Sequence, residues 1–124
     1  MLEIAMAQIN VTNLDEAIEW YTKFLGFEVS QDHYYPPKAV DLIQKGSIRL
    51  LLYQVEKPTK IDYPNQAQSL IIFRTDDLEK KMNDLTKQGV EFIYANPMEF
   101  PAGIFNAFKD PYGNIHEIVE FKEK

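Results

Sequence analysis

Apolar residues recur along this chain in two rhythms, and the same succession of rhythms occurs twice. Between positions 12 and 25, Leu14, Ala17, Ile18, Tyr21 and Leu25 return every three or four residues, the spacing of one apolar stripe on a helix. Asn13 followed by Glu16 has the form of a capping box at its start, and Gly26 is suited to stop it. From Phe27 and Val29 the rhythm shortens to two, which predicts a strand. The segment TDDLEKKMNDLTKQGVEFI (75–93) repeats this order. Leu78, Met82 and Leu85 form its stripe, Asp76 and Glu79 supply the start, Gly89 the stop, and Val90 to Ile93 begin a strand. The helices open at Leu14 and Leu78, about 64 residues apart, so the pattern reads as a pseudo-symmetric pair rather than a solenoid.

Each half continues with further strands. In the first, KAVDLIQ (38–44) and SIRLLLYQV (47–55) flank a Lys45-Gly46 break. In the second, GIFNAFK (103–109) and NIHEIVEF (114–121) flank Asp110-Pro111-Tyr112-Gly113. There the proline suits the second position of a type I turn and the glycine the last. Another strand is expected ahead of each helix, at the N-terminus and over 68–75. The predicted architecture is therefore α+β, with two tandem βαβββ modules in a single domain over 1–124. Module one covers 1–56, a polar, proline-bearing linker 57–66, and module two 67–124.

Charge and composition narrow the partners. The chain carries 19 acidic and 13 basic residues, a net charge of −6, with no basic run. Neither nucleic acid, which needs phosphate neutralisation, nor an anionic membrane surface is an expected partner. The absence of cysteine excludes disulfides, thiolate metal sites and cysteine nucleophiles. The N-terminal MLEIAMAQINV has no basic, signal-like segment, and no apolar run approaches spanning length, so the cytoplasm is expected.

One residue breaks the pattern. On the strand 114–121, Ile115, Glu117, Val119 and Phe121 share a face, and only Glu117 among them is charged. Burying a carboxylate is costly unless it is partnered. His116 points the opposite way with Asn114, Ile118 and Glu120, so it is no partner, and it is expected to be partly exposed. His33, beside a proline-rich bend, is also expected at the surface.

The doubled βαβββ order, the opening INVTNLDEAIEWYTKFLGFEV and the closing DPYGNIHEIVEF resemble the vicinal oxygen chelate superfamily of glyoxalases, bleomycin- and fosfomycin-resistance proteins and extradiol dioxygenases. The resemblance covers nearly the whole chain. It implies that the two modules pair their sheets into a cupped, partly open mixed β-barrel with the helices outside and a ligand in the cup. It also implies four metal-ligand positions, which map to Met6, Leu50, Leu70 and Glu117. Three apolar residues and one carboxylate do not make a regular site for a hard or borderline divalent ion, so no cofactor is expected, a divalent metal held by an irregular set being the disfavoured alternative. A two-residue shift on the first strand reaches Gln8, which would still give only two ligands.

Strand alternation then selects the cup. Met6, Gln8 and Asn10 are placed inward, with Ala7, Ile9 and Val11 on the helices. Leu50 and Leu52 are placed inward from the row Ile48–Gln54, and Leu70, Ile72 and Arg74 inward or at the rim. The candidate ligand-binding set is Gln8, Asn10, Leu50, Leu52, Leu70, Ile72, Arg74 and Glu117, a mostly apolar lining with a few polar anchors. Gln8, Asn10 and Glu117 could equally hydrogen-bond one another or a buried water. Trp20, Tyr34, Tyr35 and Phe100 are candidates for the mouth. The expected function is small-molecule binding of the glyoxalase/bleomycin-resistance type by a homodimer without a complete metal site. The alternative is a glyoxalase-like lyase or isomerase with Glu117 as general base, against which stands the lack of ligands for metal-polarised chemistry.

Overall fold

The computed structural model describes residues 1–35, 38–66 and 69–122, with the side chains of 31–35 outside that description. The chain forms two compact units, Met1–Thr59 and Lys60–Lys124.

The first unit runs β1 (Met6–Val11), α1 (Leu14–Leu25), β2 (Glu28–Tyr35), β3 (Ala39–Ile43) and β4 (Arg49–Gln54), with sheet order β1-β4-β3-β2. Strands β1 and β4 are parallel and the others antiparallel, a mixed sheet closed by a βαβ crossover. Helix α1 starts as its sequence predicts. Asn13 Oδ1 accepts from the Glu16 backbone N–H at 3.1 Å, and Gly26 ends the helix in the left-handed region at φ +73°, where a side chain would be strained. A second contact at the N-terminus comes from afar: the Leu14 N–H donates to Gln54 Oε1 at 2.8 Å. Register places Ile9 and Val11 beside Leu52 and Gln54. Together with Leu14, Ala17, Tyr21, Val40, Leu42 and Leu50 they form the buried core on the α1 side.

The second unit repeats the plan with β5 (Ile72–Arg74), α2 (Leu78–Lys87), β6 (Met98–Phe100), β7 (Gly103–Lys109) and β8 (Ile115–Phe121), in the order β5-β8-β7-β6. The pair β5/β8 is again parallel. The start of α2 differs from expectation by one residue: Asp77, not Asp76, is the N-cap, its side chain accepting from the Lys80 N–H at 3.0 Å. Here too the final strand reaches the helix, since the Leu78 N–H donates to Glu120 Oε1 at 2.8 Å. The strand expected at 90–93 is reduced to a single bridge, Phe92 to Phe108, and β7 takes the short β6 as its outer partner instead. The side chain of the fully buried Asn106 explains the detour: it accepts from the Tyr94 N–H at 3.2 Å and donates to the Tyr94 carbonyl at 3.0 Å. A side chain thus supplies the pairing a strand would have made there. No helix among the described residues is long and apolar enough to cross a membrane.

Candidate functional site

The DPYG turn aims the strand that carries Glu117. Asp110 Oδ1 accepts from the Tyr112 and Asn114 N–H groups at 2.8 and 2.9 Å, and Oδ2 accepts from Asn114 Nδ2 at 2.8 Å. Gly113 takes φ +87° to close the turn. Strand β8 then sits between β5 and β7. Its register sets Glu117 beside Ile72 and Ala107, and Val119 beside Arg74 and Phe105. These side chains share the face of the sheet that points away from α2.

Glu117 has a partner that the sequence pattern did not reveal. The phenol of Tyr63, from the polar segment before β5, donates to Glu117 Oε2 at 2.6 Å, the length of a strong, charge-assisted bond. Burial, followed by the hydrogen bond to Glu117 and its charge, pushes the Tyr63 phenol well above its ordinary pKa. It is therefore a fixed donor. Among the described residues Glu117 makes no other side-chain hydrogen bond, which leaves Oε1 to accept from something else. An aromatic series extends from the pair: Tyr63 to Tyr94 at 6.3 Å, Tyr94 to Phe105 at 6.2 Å, Phe105 to Phe100 at 5.8 Å and Phe100 to Phe121 at 6.4 Å. Edge-on contacts of this kind fix ring positions. At the other end of the face the Arg74 guanidinium lies over the Phe121 ring, 5.2 Å from its centroid. A cavity of about 430 Å³ opens there, lined by Arg74, Pro101, Ala102, Phe121 and Lys122.

Of the expected ligand-binding residues, Ile72, Arg74 and Glu117 come together on this face, Ile72 being 58% exposed. Leu70, half-buried, lies just ahead of β5. In the first unit, Gln8 and Asn10 are exposed and bonded to each other, Gln8 Nε2 donating to Asn10 Oδ1 at 3.0 Å. Leu50 and Leu52 are not with them. Both are buried on the α1 face alongside Ile9 and Val11, and Leu51 and Tyr53 stand beside Gln8 and Asn10 instead. The reason is register: two rows on one strand look alike in sequence, and only pairing with β1 decides which row meets the helix. Asp41, on the same face as Leu51, is fully buried, with Arg49 Nη1 3.5 Å from its Oδ2.

His116 is a further correction. It is 3% exposed, on the α2 side of the sheet, edge-on to Phe73 at 5.7 Å and against Phe108 at 5.6 Å. Burial lowers its pKa to about 4, against the pull of the Asp110 charge, so the imidazole is neutral at pH 7. The face opposite Glu117 packs under the helix rather than facing solvent. Trp20 packs edge-on to Tyr21 and Phe24 of its own helix, and Phe100 belongs to the aromatic series of the second unit. The side chains of His33, Tyr34 and Tyr35 lie outside the described residues.

Comparison with known proteins agrees with this doubled architecture. The chain is 29% identical over 122 residues to a protein of Shewanella frigidimarina (92% of this chain, 90% of the relative). It is 26% identical to YetH of Bacillus subtilis (95% and 98%). Among solved structures, it superposes with a TM-score of 0.74 on TnmS3, an antibiotic binding protein from Streptomyces sp. CB03234, at 22% identity (98% of each chain). With the fosfomycin resistance protein FosX from Listeria monocytogenes the TM-score is 0.79 at 12% identity (99% of this chain, 94% of that one). The family model of the glyoxalase/bleomycin resistance protein/dioxygenase superfamily matches residues 3–118, and with the repeated βαβββ fold this places the chain in that superfamily.

Proposed function

We propose that this protein binds a small organic molecule, in the manner of the bleomycin-resistance type, with Glu117 and Tyr63 as its polar anchor. The observation that carries the reading is the Tyr63–Glu117 hydrogen bond at the head of an aromatic series on the sheet face away from α2. A carboxylate with one oxygen fixed by a phenol and the other unengaged by any described side chain is prepared to accept from a ligand donor. The rings beside it offer apolar contact, and few polar groups within an apolar lining is the usual composition of a ligand site. The likeness of the fold to TnmS3, an antibiotic binding protein, supports this reading. Gln8 and Asn10 are proposed as further polar contacts.

The family's divalent metal does not fit the residues around Glu117. One oxygen of Glu117 is engaged by Tyr63, its strand neighbours are Ile72 and Ala107, and the described residues contain no grouping of three or more His, Asp or Glu suited to an ion. A hard ion requires several oxygen or nitrogen donors. The protein is further proposed to act as a two-fold dimer, the commonest soluble assembly. A solution mass near the 14.5 kDa of one chain would exclude that.

The test is a thermal-shift screen against metabolites and antibiotics, repeated with Glu117→Gln and Tyr63→Phe. A ligand at about one hundred times its Kd adds about 2.7 kcal/mol to stability, a readily measured rise in melting temperature. The expected result is a hit whose shift shrinks in both variants while their unliganded melting remains cooperative. Stoichiometric uptake of manganese, nickel or zinc, read by elemental analysis, would overturn the metal-free reading and favour a lyase or isomerase with Glu117 as base.

A further inference from the structure

The far end of the same sheet face carries chemistry that Glu117 and Tyr63 do not explain. Arg74 ends β5 and Lys122 follows β8, and both border the cavity of about 430 Å³ with Pro101, Ala102 and Phe121. That volume falls in the range of small-molecule sites. Both cations are exposed, and among the described residues neither forms an ion pair. In a chain with six more acidic than basic residues (19 − 13), these two cations meet at one cavity without an ion pair to any described residue. The two carboxylates of β8 are engaged elsewhere, Glu120 at the N-terminus of α2 and Glu117 by Tyr63.

The backbone beside the cavity is tied together. The Lys122 N–H donates to the Ala102 carbonyl at 2.8 Å, joining the start of β7 to the end of β8. Gly103 lets the strands approach so closely that a Cβ there would lie 2.1 Å from the Glu120 carbonyl oxygen. Arg74 is held over Phe121, and stacking of this kind leaves the edge of the guanidinium fork able to donate.

We propose that this cavity is an anion subsite that takes the phosphate or carboxylate of a small molecule with an aromatic or apolar body. Arg74 and Lys122 bind the charge, and Phe121 carries the adjoining apolar part. The inference rests on the reading that this sheet face receives the ligand, and it adds the ligand's chemistry. Phe121 lies four residues beyond Glu117 on β8, roughly 13 Å at strand rise. A ligand that engages both ends is therefore elongated, with an oxyanion at one end and a hydrogen-bond donor at the other.

The experiment is a titration of the labelled protein followed by nitrogen–proton NMR. Phenyl phosphate and benzoate are the anionic probes, and benzyl alcohol and benzylamine the neutral and cationic controls. The expected result is saturable shifts at Arg74 Nε and at the backbone amides of Ala102, Phe121 and Lys122 for the anions alone. Affinity should fall about tenfold in Arg74→Gln, the scale of one lost charge-assisted contact, and less in Arg74→Lys, which keeps charge but loses the fork. Stronger binding of phenyl phosphate than of benzoate would assign the subsite to phosphate, and the reverse to carboxylate. Equal binding of benzyl alcohol and the anions, or unchanged affinity in Arg74→Gln, would overturn the subsite. Because Glu117→Gln and Tyr63→Phe test the other end of the face, a negative result here is distinguishable from failure of the broader binding reading.

Discussion

Lowering the pH from 7 to 4 acts on a buried histidine. His116 is 3% exposed between Phe73 and Phe108, and its pKa falls from an ordinary 6.5 to about 4 in the folded chain. Between these values the unfolded chain binds a proton that the folded chain refuses. Stability therefore rises with pH across that window: it is complete above about 6.5, is lost as the pH falls, and the loss levels off below about 4. A difference of about 2.5 units at about 1.4 kcal/mol each sets the loss at roughly 3 kcal/mol. Asp110 opposes the shift, and burial outweighs it because desolvating an imidazolium costs more than one nearby carboxylate returns. The assay is urea unfolding at pH 7, 6, 5 and 4 for wild type and His116→Gln. Subtracting the variant removes the surface carboxylates common to both. Wild type should lose roughly 3 kcal/mol more than the variant across the window. A His116 titration near 6.5 by carbon–proton NMR, or parallel stability curves for the two proteins, would refute the burial argument.

Other consequences follow from single contacts. Gly103→Ala should cost several kcal/mol or abolish folding, because its Cβ would meet the Glu120 oxygen at 2.1 Å and Phe121 Cα at 3.0 Å. Measured by chemical denaturation, a loss under about 1 kcal/mol, the scale of ordinary mutations, would show that the strands part easily. Asp110→Ala removes the acceptor of three hydrogen bonds and should destabilise by about 2 kcal/mol, with Asp110→Asn costing less. Arg49→Met strips the fully buried Asp41 of its cation and should cost about 2 kcal/mol, below the scale of a fully buried pair because the Arg49 side chain is 42% exposed. Adding Asp41→Asn should restore most of that, and a strictly additive double mutant would disprove the coupling.

Much of the fold was legible because it is written locally. The stripes Leu14–Leu25 and Leu78–Leu85, the cap at Asn13 and the glycine stop at Gly26 depend on residues within a turn or two of one another. Such short-range preferences survive into the folded chain. That Ile115, Glu117, Val119 and Phe121 share one face follows from alternation alone. Local pattern thus sufficed for the repeated βαβββ order and for singling out Glu117.

Contacts between distant residues were decided only by the tertiary structure. Tyr63 lies 54 positions from Glu117, in a segment with no periodicity to mark it. Its only signal was an aromatic residue in an otherwise polar connector. Gln54 and Glu120 reach their helix starts across 40 and 42 residues. Leu50 and Leu52 belong to one of two rows that period two cannot rank, until the register with Ala7 and Ile9 turns them under α1. His116 is hidden for the same reason, on the face of β8 that α2 covers. Alternation states which residues share a face, but what covers that face depends on where the rest of the chain returns.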